Sequence, residues 1–380
     1  MRSESPATLE DVSGALRACN EAEAPVRFLG GGTKLEWGAP ADDVEVEIST
    51  TALDRIVEFN PADLTAVVEA GARLEDAQAL FAEESQMLAI DPPSGGGATV
   101  GGIVATNDSG PRRHRYGAVR DLVVGMSIVL ADGTIAKSGG RVIKNVAGYD
   151  LAKLFCGSHV TLGMIGRVAV RLHPHPPRNL TVRVESEDHD MLGRATSTLM
   201  HLPLEMDCLD AYWADGRGES LARFGGVAPE GRAEAGAAAL RKEGIECEIV
   251  EDDDPLWTRN REAQRSADGM VVKVSALPGE VSLVLREVRS RNAMAVMRAG
   301  LGLAYVSLRG DHSDLIGALD EMRRSLAPRS CVVLDAAEEI RAKVDVWGAV
   351  DAGGLAVMRR LKQRFDPQRI CNRGIFIGGI

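Results

Sequence analysis

The sequence predicts an α+β protein in two parts of different character. Short apolar strands alternate with helices in the first part, and glycines cluster there in two loops. A proline stack, His173-Pro174-His175-Pro176-Pro177, then separates this part from a second run of strands and helices. We therefore expect one domain over residues 1–176, a second over 177–340, and a C-terminal segment over 341–380 that returns to the first domain.

In the first part, Thr8 and Asp11 resemble a capping box before a helix that runs from Leu9 to about Glu23. Period-2 patterns and turn signals predict strands over residues 26–29, 44–48, 55–59, 64–69, 122–130, 134–137 and 165–172. Helical patterns fall at residues 74–85, 100–106 and 149–155. This alternation is typical of two small α/β units.

In the second part, strands are predicted over residues 180–185, 245–250, 270–276, 303–308 and 331–334. Helices are predicted between and after them, over residues 191–201, 232–242, 281–289, 315–326 and 355–365. This order favours helices that cover one largely antiparallel sheet.

Composition excludes several classes of protein. The chain has 380 residues and a net charge of −11, which repels nucleic-acid backbones. No apolar run is long enough for a membrane span, and the N-terminus lacks the features of a signal peptide, so we expect a cytoplasmic protein, peripheral to the inner face of the membrane at most. The six cysteines lie far apart without a CxxC pair, which excludes a local zinc or iron–sulfur motif.

Two glycine-rich loops are the candidates for ligand binding. Gly30, Gly31, Gly32, Thr33 and Lys34 offer backbone N–H groups, a hydroxyl and a cation, which a loop around a diphosphate needs. Their order matches neither G-x-G-x-x-G nor a P-loop, and a plain tight turn is the alternative. The second loop, residues 99–107, has small residues where a flat ring and a ribityl chain could press against the backbone.

These loops belong to blocks that resemble a known family. The blocks are FLGGGTK (28–34), ATVGGIVATNDSGPRR (98–113), YGAVRDLVVGMSIVLADG (116–133), KNVAGYDLAKLFCGS (144–158) and TLGMIGRVAVRLHP (161–174). They resemble the FAD-binding oxidases of the p-cresol methylhydroxylase (PCMH) or vanillyl-alcohol oxidase type, and are similar to the FAD-binding subunit of bacterial glycolate oxidase. The resemblance implies a PCMH-type FAD-binding domain of two α/β subdomains, with a cap domain over it. The cap matches more loosely, through PLW (255–257) and LKQRFDPQRICN (361–372).

The resemblance also implies which residues contact FAD. The diphosphate would be held by the first loop; the second loop and the C-terminus would contact the ribityl chain and ring, and other positions would line the adenine and ring sides. The FAD-binding positions would be Gly30, Gly31, Gly32, Thr33, Lys34, Thr99, Gly101, Gly102, Thr106, Asn107, Gly117, Val119, Ile165 and Asn372.

Three positions depart from the family's pattern. Val160 stands where the family has glycine in GSxGTLG, and a β-branched residue tolerates a positive φ poorly. Cys371-Asn372-Arg373-Gly374 replaces the usual Asn-Pro-Gly. No histidine lies in the diphosphate loop, where some members attach the flavin covalently, so the resemblance implies non-covalent FAD.

No catalytic residue can be assigned. Related catalytic subunits carry His-x-Gly-Asp-Gly-Asn-x-His in the cap, and the nearest text here is Arg309-Gly310-Asp311-His312, where a surface turn is the simpler interpretation. Arg261, Lys273 and Arg309 are candidates for binding a substrate carboxylate, with solvated surface charges as the alternative.

Three further groups carry weaker hypotheses. His173 and His175 have metal-ligand spacing but lack a third ligand, so we assign no metal. The basic run from Arg112 to Arg115 is either a solvated loop or a docking surface for an acidic subunit or an anionic substrate. The acidic run at 252–254 precedes Pro255 and is typical of a helix N-terminus.

The resemblance implies the FAD-binding subunit of a glycolate oxidase complex, which oxidises a small 2-hydroxy acid. Its partners would be a catalytic FAD-containing subunit and an iron–sulfur subunit. Two alternatives stay open: a stand-alone FAD-dependent dehydrogenase of another hydroxy acid or alcohol, and a non-catalytic assembly subunit.

Overall fold

A computed structural model describes residues 1–41, 43–93, 97–140 and 150–380 of the chain. The predicted start of the helix at 149, residues 144–149 of the fourth family block, and residues 94–96 of the second glycine-rich stretch lie outside the described residues.

The strands are numbered in chain order: β1 (Arg2–Glu4), β2 (Val26–Leu29), β3 (Val46–Ser49), β4 (Ile56–Asn60), β5 (Thr65–Glu69), β6 (Gln86–Met87), β7 (Val123–Val129), β8 (Ile135–Gly139), β9 (Met164–Arg171), β10 (His173–Pro174), β11 (Arg178–Ser186), β12 (Cys208–Ala214), β13 (Arg217–Gly226), β14 (Glu248–Val250), β15 (Met270–Ser275), β16 (Met294–Arg298), β17 (Leu303–Leu308) and β18 (Ser330–Asp335).

The helices are α1 (Leu9–Glu21), α2 (Leu74–Glu83), α3 (Val100–Thr106), α4 (Arg113–Tyr116), α5 (Val119–Leu122), α6 (Ala152–Phe155), α7 (His189–Met200), α8 (Glu230–Lys242), α9 (Asp254–Glu262), α10 (Val281–Ser290), α11 (His312–Ser325), α12 (Glu338–Arg341) and α13 (Ala352–Phe365). The predicted capping of α1 is confirmed, since the Thr8 side chain accepts a hydrogen bond from the Asp11 amide.

The first part of the chain contains two main sheets. One is a parallel three-stranded sheet in the order β1-β3-β2, and the other is an antiparallel five-stranded sheet in the order β4-β5-β9-β7-β8. The C-terminal tail joins the first sheet beside β2, where the Val26 amide donates to the Ile370 carbonyl and the Asn372 amide donates to the Val26 carbonyl. Residues far apart in sequence therefore meet next to the first glycine loop.

The second part is built on one antiparallel sheet of eight strands, in the order β14-β11-β13-β12-β16-β17-β15-β18. Helices α7, α8, α10 and α11 cover one face and close a large apolar core. The other face contacts the first part, because Trp37 packs there against Val271, Val296 and Tyr305. This confirms the predicted antiparallel sheet with helices over it.

Three of its eight strands were not predicted, namely β12, β13 and β16. In β13, eight consecutive residues are buried, including Glu219 and Arg223, so the strand has no alternation of polar and apolar residues. A turn signal was present between β12 and β13, because Asp215-Gly216 has positive φ at both residues, as a tight hairpin turn requires.

The proline stack is partly structured. His173 and Pro174 pair antiparallel with Met87 and Gln86, and the His175 amide donates to the Ser85 carbonyl. These residues therefore pair with β6 and with the residue before it, and the domain boundary at the proline stack stays a prediction.

Candidate functional site

The first glycine loop and the start of α3 line one cavity of about 430 Å³. The tail and the turn after α6 close it from the other side. Among the predicted FAD-binding positions, those that line this cavity are Gly30, Gly31, Gly32, Thr33, Lys34, Thr99, Gly102, Thr106 and Asn372. The structure thus brings nine sequence-predicted residues from three segments to one place.

The two glycine loops touch, and this contact needs glycine. A Cβ on Gly31 would lie 1.7 Å from the Gly97 carbonyl oxygen, and one on Gly30 would lie 2.4 Å from the Thr99 hydroxyl oxygen. Both distances are shorter than any contact between atoms that are not bonded. The loops can therefore form this wall of the cavity only without side chains at these positions.

Backbone donors in the first loop are free. The amide N–H groups of residues 31–36 donate no hydrogen bond within the described part of the chain. Residues 31–36 are exposed or half-buried, so these N–H groups face solvent or the open cavity, and a run of such donors can bind anionic oxygens. The loop can therefore accommodate the diphosphate of FAD, and the plain tight turn stays open as the alternative.

Helix α3 presents small residues and a hydroxyl beside this loop. Thr99 caps the helix by accepting from the Gly102 amide at 3.3 Å, and the Thr106 hydroxyl donates to the Gly102 carbonyl at 2.9 Å. Gly101 faces away from the cavity, since its Cβ would lie 2.5 Å from the Ala70 Cβ.

The other predicted FAD-binding positions have structural roles outside the lining of this cavity. Asn107 ends α3 in a left-handed conformation, and its side-chain oxygen accepts from the Arg120 amide at 3.2 Å. Gly117 lies at φ +83 against the Asp121 side chain. Val119 and Ile165 are buried in the core of the five-stranded sheet. Their contact with FAD stays a prediction.

A strained turn closes the cavity opposite the glycine loop. His159 and Val160 are both at φ +51, in the left-handed region, so the backbone keeps the conformation that the missing glycine would favour. The His159 ring packs against Trp347 and Phe376, at 5.3 and 5.4 Å between ring centroids. Burial, and secondarily the charge of Lys273, lower the pKa of His159 to about 4.

Asn372 ties this turn to β2. Its side-chain oxygen accepts from the Phe28 amide at 3.0 Å, and its side-chain nitrogen donates to the His159 carbonyl at 3.0 Å. Buried Lys362 holds the tail in place by donating to the carbonyls of Thr161 and Cys371 and to Asp366. Asn372 thus reaches the cavity wall as predicted, and its side chain already has protein partners.

Lys34 does not point a free charge into the cavity. Its ammonium nitrogen lies 3.3 Å from the Asp108 carboxylate, and both side chains are buried. The predicted role of Lys34 as a cation for the diphosphate is therefore weakened, because its charge is already balanced. Asp108 was missed by the sequence reasoning, although it directly follows the second glycine cluster.

A second group of polar side chains, here called the open cluster, consists of Lys273, Tyr305, Arg113 and His159. Lys273 and Tyr305 are directly opposite each other on β15 and β17, on the sheet face that meets the first part. Lys273 is within electrostatic reach of Arg113 and His159, as Tyr305 is of Arg113. None of the four side chains has a hydrogen bond or ion pair within the described residues.

Burial shifts the titration of two of these groups. Burial, reinforced by Arg113, lowers the pKa of Lys273, while Asp108 opposes this. Burial raises the pKa of Tyr305 to about 12, so its phenol stays protonated and can donate a hydrogen bond. Two cations and a donor with no partner are what an anionic ligand requires.

A neighbouring group, the paired cluster, consists of Arg298, Asp210, Asn260 and Gln264. Arg298 is 1% exposed and contacts both Asp210 and the Gln264 side-chain oxygen. The Asn260 side chain donates to Asp210 at 3.2 Å. Burial raises the pKa of Asp210 to about 6, although Arg298 opposes the shift.

The remaining candidates from the sequence lie elsewhere. Arg261 pairs with Glu262 at 3.1 Å and lines a separate cavity of about 270 Å³. Arg309 and His312 are exposed, which favours the interpretation as surface residues. Of the three predicted carboxylate ligands, only Lys273 is in the open cluster.

One residue of the basic run, Arg115, is paired within the chain, and the choice between a solvated loop and a docking surface stays open for the run as a whole. Arg115 pairs with Asp207 at 2.8 Å and with Glu205 at 3.5 Å, across the contact between the two parts of the chain. In the acidic run, Asp253 and Asp254 contact Arg223 at 2.6 and 2.7 Å. The helix starts there as predicted, but these carboxylates bind an arginine in addition to any effect on the helix dipole.

Comparison with known proteins agrees with this geometry. A family model described as an FAD binding domain matches residues 4–139. The crystal structure of p-cresol methylhydroxylase with substrate bound superposes with a TM-score of 0.75 at 17% identity, over 98% of this chain and 88% of that one. Residues 4–139 therefore match an FAD-binding domain, and the chain has the fold of p-cresol methylhydroxylase. FAD is its cofactor.

Relatives of this FAD-binding chain include several named for hydroxy acids. Glycolate oxidase subunit GlcD of Bacillus subtilis is 32% identical over 208 residues, or 54% of this chain and 44% of that protein. A mitochondrial D-lactate dehydrogenase [cytochrome] of Saccharomyces cerevisiae is 37% identical over 48% of this chain and 31% of its own length. D-2-hydroxyglutarate dehydrogenase of Xanthomonas citri is 25% identical over 97% and 87%. The matches to the first two relatives span less than half of those proteins.

The described residues contain neither a membrane-spanning helix nor a cluster of metal-ligating side chains. No helix among them is long and apolar enough to cross a membrane. Within the same ranges, no three histidine, cysteine, aspartate or glutamate side chains are placed to hold a metal ion.

Proposed function

We propose that this chain is part of an FAD-dependent oxidoreductase that oxidises the CH–OH group of a small 2-hydroxy acid. The observation that carries the proposal is the open cluster: two cations and a phenol have no hydrogen bond or ion pair among the described residues, and they lie at the contact between the FAD-binding domain and the eight-stranded sheet. A hydroxy acid brings the carboxylate that these groups lack.

The chemistry of the cluster supports a carboxylate ligand. Unpaired buried charges are unfavourable, so proteins keep them chiefly where a ligand neutralises them. Lys273 and Arg113 would bind the carboxylate, and the protonated Tyr305 would donate a hydrogen bond to it or to the hydroxyl group. Asp108 is already paired with Lys34 and leaves these two cations uncompensated.

FAD would be held by the first glycine loop and α3. The free N–H groups of residues 31–36 would bind its diphosphate, and the glycine contacts would let its chain approach the backbone. When bound, FAD supplies the acceptor for the hydride that leaves the substrate carbon. The protein's own residues orient the substrate and exclude water from the contact between its two parts.

Within this class, we propose glycolate as the substrate and a complex as the working form. One relative is named a glycolate oxidase subunit, whereas others are named for D-lactate and D-2-hydroxyglutarate. The proposed complex adds a catalytic FAD-containing subunit and an iron–sulfur subunit, in the cytoplasm or at the inner face of the membrane. The absence of the family's cap histidine motif supports a need for the second flavoprotein.

The test starts with the purified chain and its visible spectrum. We expect a flavin spectrum, and we expect the flavin to leave with the filtrate after denaturation. Anaerobic mixing with glycolate, D-lactate or D-2-hydroxyglutarate should then bleach the band near 450 nm, on the order of seconds or faster for a working substrate. Bleaching only after the partner subunits are added would support the complex, and bleaching by none of the acids in either form would refute the proposal.

A non-catalytic assembly subunit is the second candidate, because Val160 occupies the strained turn beside the FAD cavity. This alternative predicts that the complex assembles and turns over equally well when FAD binding to this chain is blocked. Replacing Gly31 by valine blocks it sterically, since its side chain would overlap the Gly97 carbonyl. Full activity of a complex with this variant would favour the assembly role.

A further inference from the structure

The loop after the glycines is held from the second part of the chain. The Arg265 guanidinium donates from Nη1 to the Thr33 carbonyl oxygen at 3.1 Å and from Nε to Asp335 Oδ2 at 2.6 Å. The Trp37 indole N–H donates to Asp335 Oδ1 at 3.0 Å. Arg265, Asp335 and Trp37, here called the clamp, therefore connect β18 and the segment after α9 to the diphosphate loop.

Two of the three clamp residues are buried, and the third, Arg265, has a side chain that is 26% exposed. Trp37 is 6% exposed and Asp335 is 4% exposed. The Arg265 guanidinium lies 5.2 Å from the centre of the Trp37 ring, within the range of a cation–π contact. The Asp335 carboxylate receives one donor on each oxygen, which fixes the orientation of both partners.

The bond to Thr33 fixes the direction of a neighbouring donor. In a trans peptide, the C=O of Thr33 and the N–H of Lys34 point in opposite directions. Because Arg265 holds that carbonyl, the Lys34 N–H is directed away from Arg265. Thr33 and Lys34 both line the FAD cavity. This N–H is one of the free donors in residues 31–36.

We infer that Arg265 is a positioning residue for FAD: the second part of the chain sets the affinity of the diphosphate loop from a distance. The effect comes from geometry, because Asp335 already balances the charge of Arg265. Lysine should therefore not replace arginine, since a single ammonium cannot donate along two fixed directions as a guanidinium fork does. The inference concerns FAD binding and is independent of the proposed substrate.

The test measures the Kd of FAD for the apoprotein by flavin fluorescence, for the wild type, Arg265→Ala and Arg265→Lys. We expect both variants to raise Kd roughly 10- to 100-fold, since they lose a charge-assisted hydrogen bond that orders the loop. The matched control is Arg291→Ala, which removes another arginine paired with carboxylates, directly after α10 and outside the lining of the cavity. Its Kd should stay within about twofold of the wild type.

A purely structural role predicts a different result. It would lower the melting temperature of the apoprotein and leave Kd within about twofold of the wild type in the folded fraction, which would overturn the inference. If Arg265→Ala does not fold, Arg265→Lys decides, because it retains the charge and most of the volume. Failure of the proposed function appears separately, as a wild type that binds FAD but is not reduced by any hydroxy acid.

Discussion

Two groups of buried polar side chains lie on neighbouring parts of the eight-stranded sheet, and they differ in whether the protein satisfies them. In the paired cluster, the Arg298 charge has Asp210 and Gln264 as partners. In the open cluster, Lys273 and Tyr305 have no hydrogen bond or ion pair with any described residue, although the Arg298 guanidinium lies 5.9 Å from the centre of the Tyr305 ring. Burial alone therefore does not identify a binding site. The satisfied polar groups of the paired cluster stabilise the fold, whereas we expect the polar groups of the open cluster to bind a ligand.

The largest expected effect is the loss of one partner in the paired cluster. Arg298→Met should lower the free energy of unfolding by about 3–5 kcal/mol, because it leaves Asp210 buried without its counter-charge. Urea unfolding of the apoprotein measures this. Arg291→Met is the control: its partners Glu287 and Glu321 are nearer solvent, and its loss should cost less than about 1 kcal/mol. Equal losses at the two sites would remove the distinction between the clusters.

In the open cluster, the corresponding change should affect binding instead. Lys273→Met removes a half-buried charge that has no hydrogen bond or ion pair among the described residues, so we expect unchanged or increased stability. Binding of a carboxylate probe such as oxalate, followed by its perturbation of the flavin absorbance, should weaken roughly 10- to 100-fold. Arg309→Met, which removes an exposed cation predicted for the same role, is the matched control and should bind oxalate normally. A Lys273→Met protein with unchanged oxalate affinity would contradict the proposed site.

The contributions of Asp210 and His159 to stability should depend on pH in opposite directions. The folded-state pKa of Asp210 is raised to about 6 by burial, above about 3.9 in the unfolded chain, so its contribution to stability is lost as pH rises from 4 to 6. The folded-state pKa of His159 is lowered to about 4, below about 6.5 in the unfolded chain, so its contribution is lost as pH falls through the same window.

Unfolding free energies measured from pH 4 to 7 check both signs. The stability of Asp210→Asn relative to the wild type should increase with pH, and that of His159→Gln should decrease with pH, each by up to about 1.4 kcal/mol per pH unit. The exposed His175→Gln is the control and should run parallel to the wild type. Relative curves that slope the same way for both variants would show that one of the assigned shifts is wrong.

The sequence predicted the glycine loops and one residue of the open cluster, and it missed Arg298 and Asp210 of the paired cluster. Strand β2, helix α3 and the glycine loops follow from local signals, because turns and close backbone contacts demand particular residues. Lys273 was selected together with Arg261 and Arg309 because all three come from cap segments that could face the flavin. Arg298 and Asp210 were missed together with β12 and β16, since their charges break the apolar pattern that marks a strand.

Contacts between distant segments could not be predicted, because local sequence patterns do not show which residues meet across the fold. Nothing near Arg265 in sequence indicates that it binds the Thr33 carbonyl, and Lys34 appeared free because its partner Asp108 is 74 residues away along the chain (108 − 34). The left-handed conformation at residue 160 could be expected from the family's glycine. That valine retains it depends on Asn372 and Lys362, which hold the turn from the tail.

The smallest expected effect concerns this turn, which holds His159 of the open cluster. Glycine at position 160 would relieve left-handed strain of about 1–2 kcal/mol, but it would lose a similar amount through backbone entropy and apolar burial, so Val160→Gly should change stability by less than about 1 kcal/mol. Alanine loses the burial and keeps the strain, so Val160→Ala should be the less stable variant. At Val284, buried in helix α10, the order should reverse, with alanine more stable than glycine by about 1 kcal/mol. Thermal unfolding of the four variants gives both orders. If the alanine variant is more stable than the glycine variant at both positions, residue 160 carries no backbone strain. In that case, the hydrogen bonds from Asn372 and Lys362 do not hold this turn in a strained conformation.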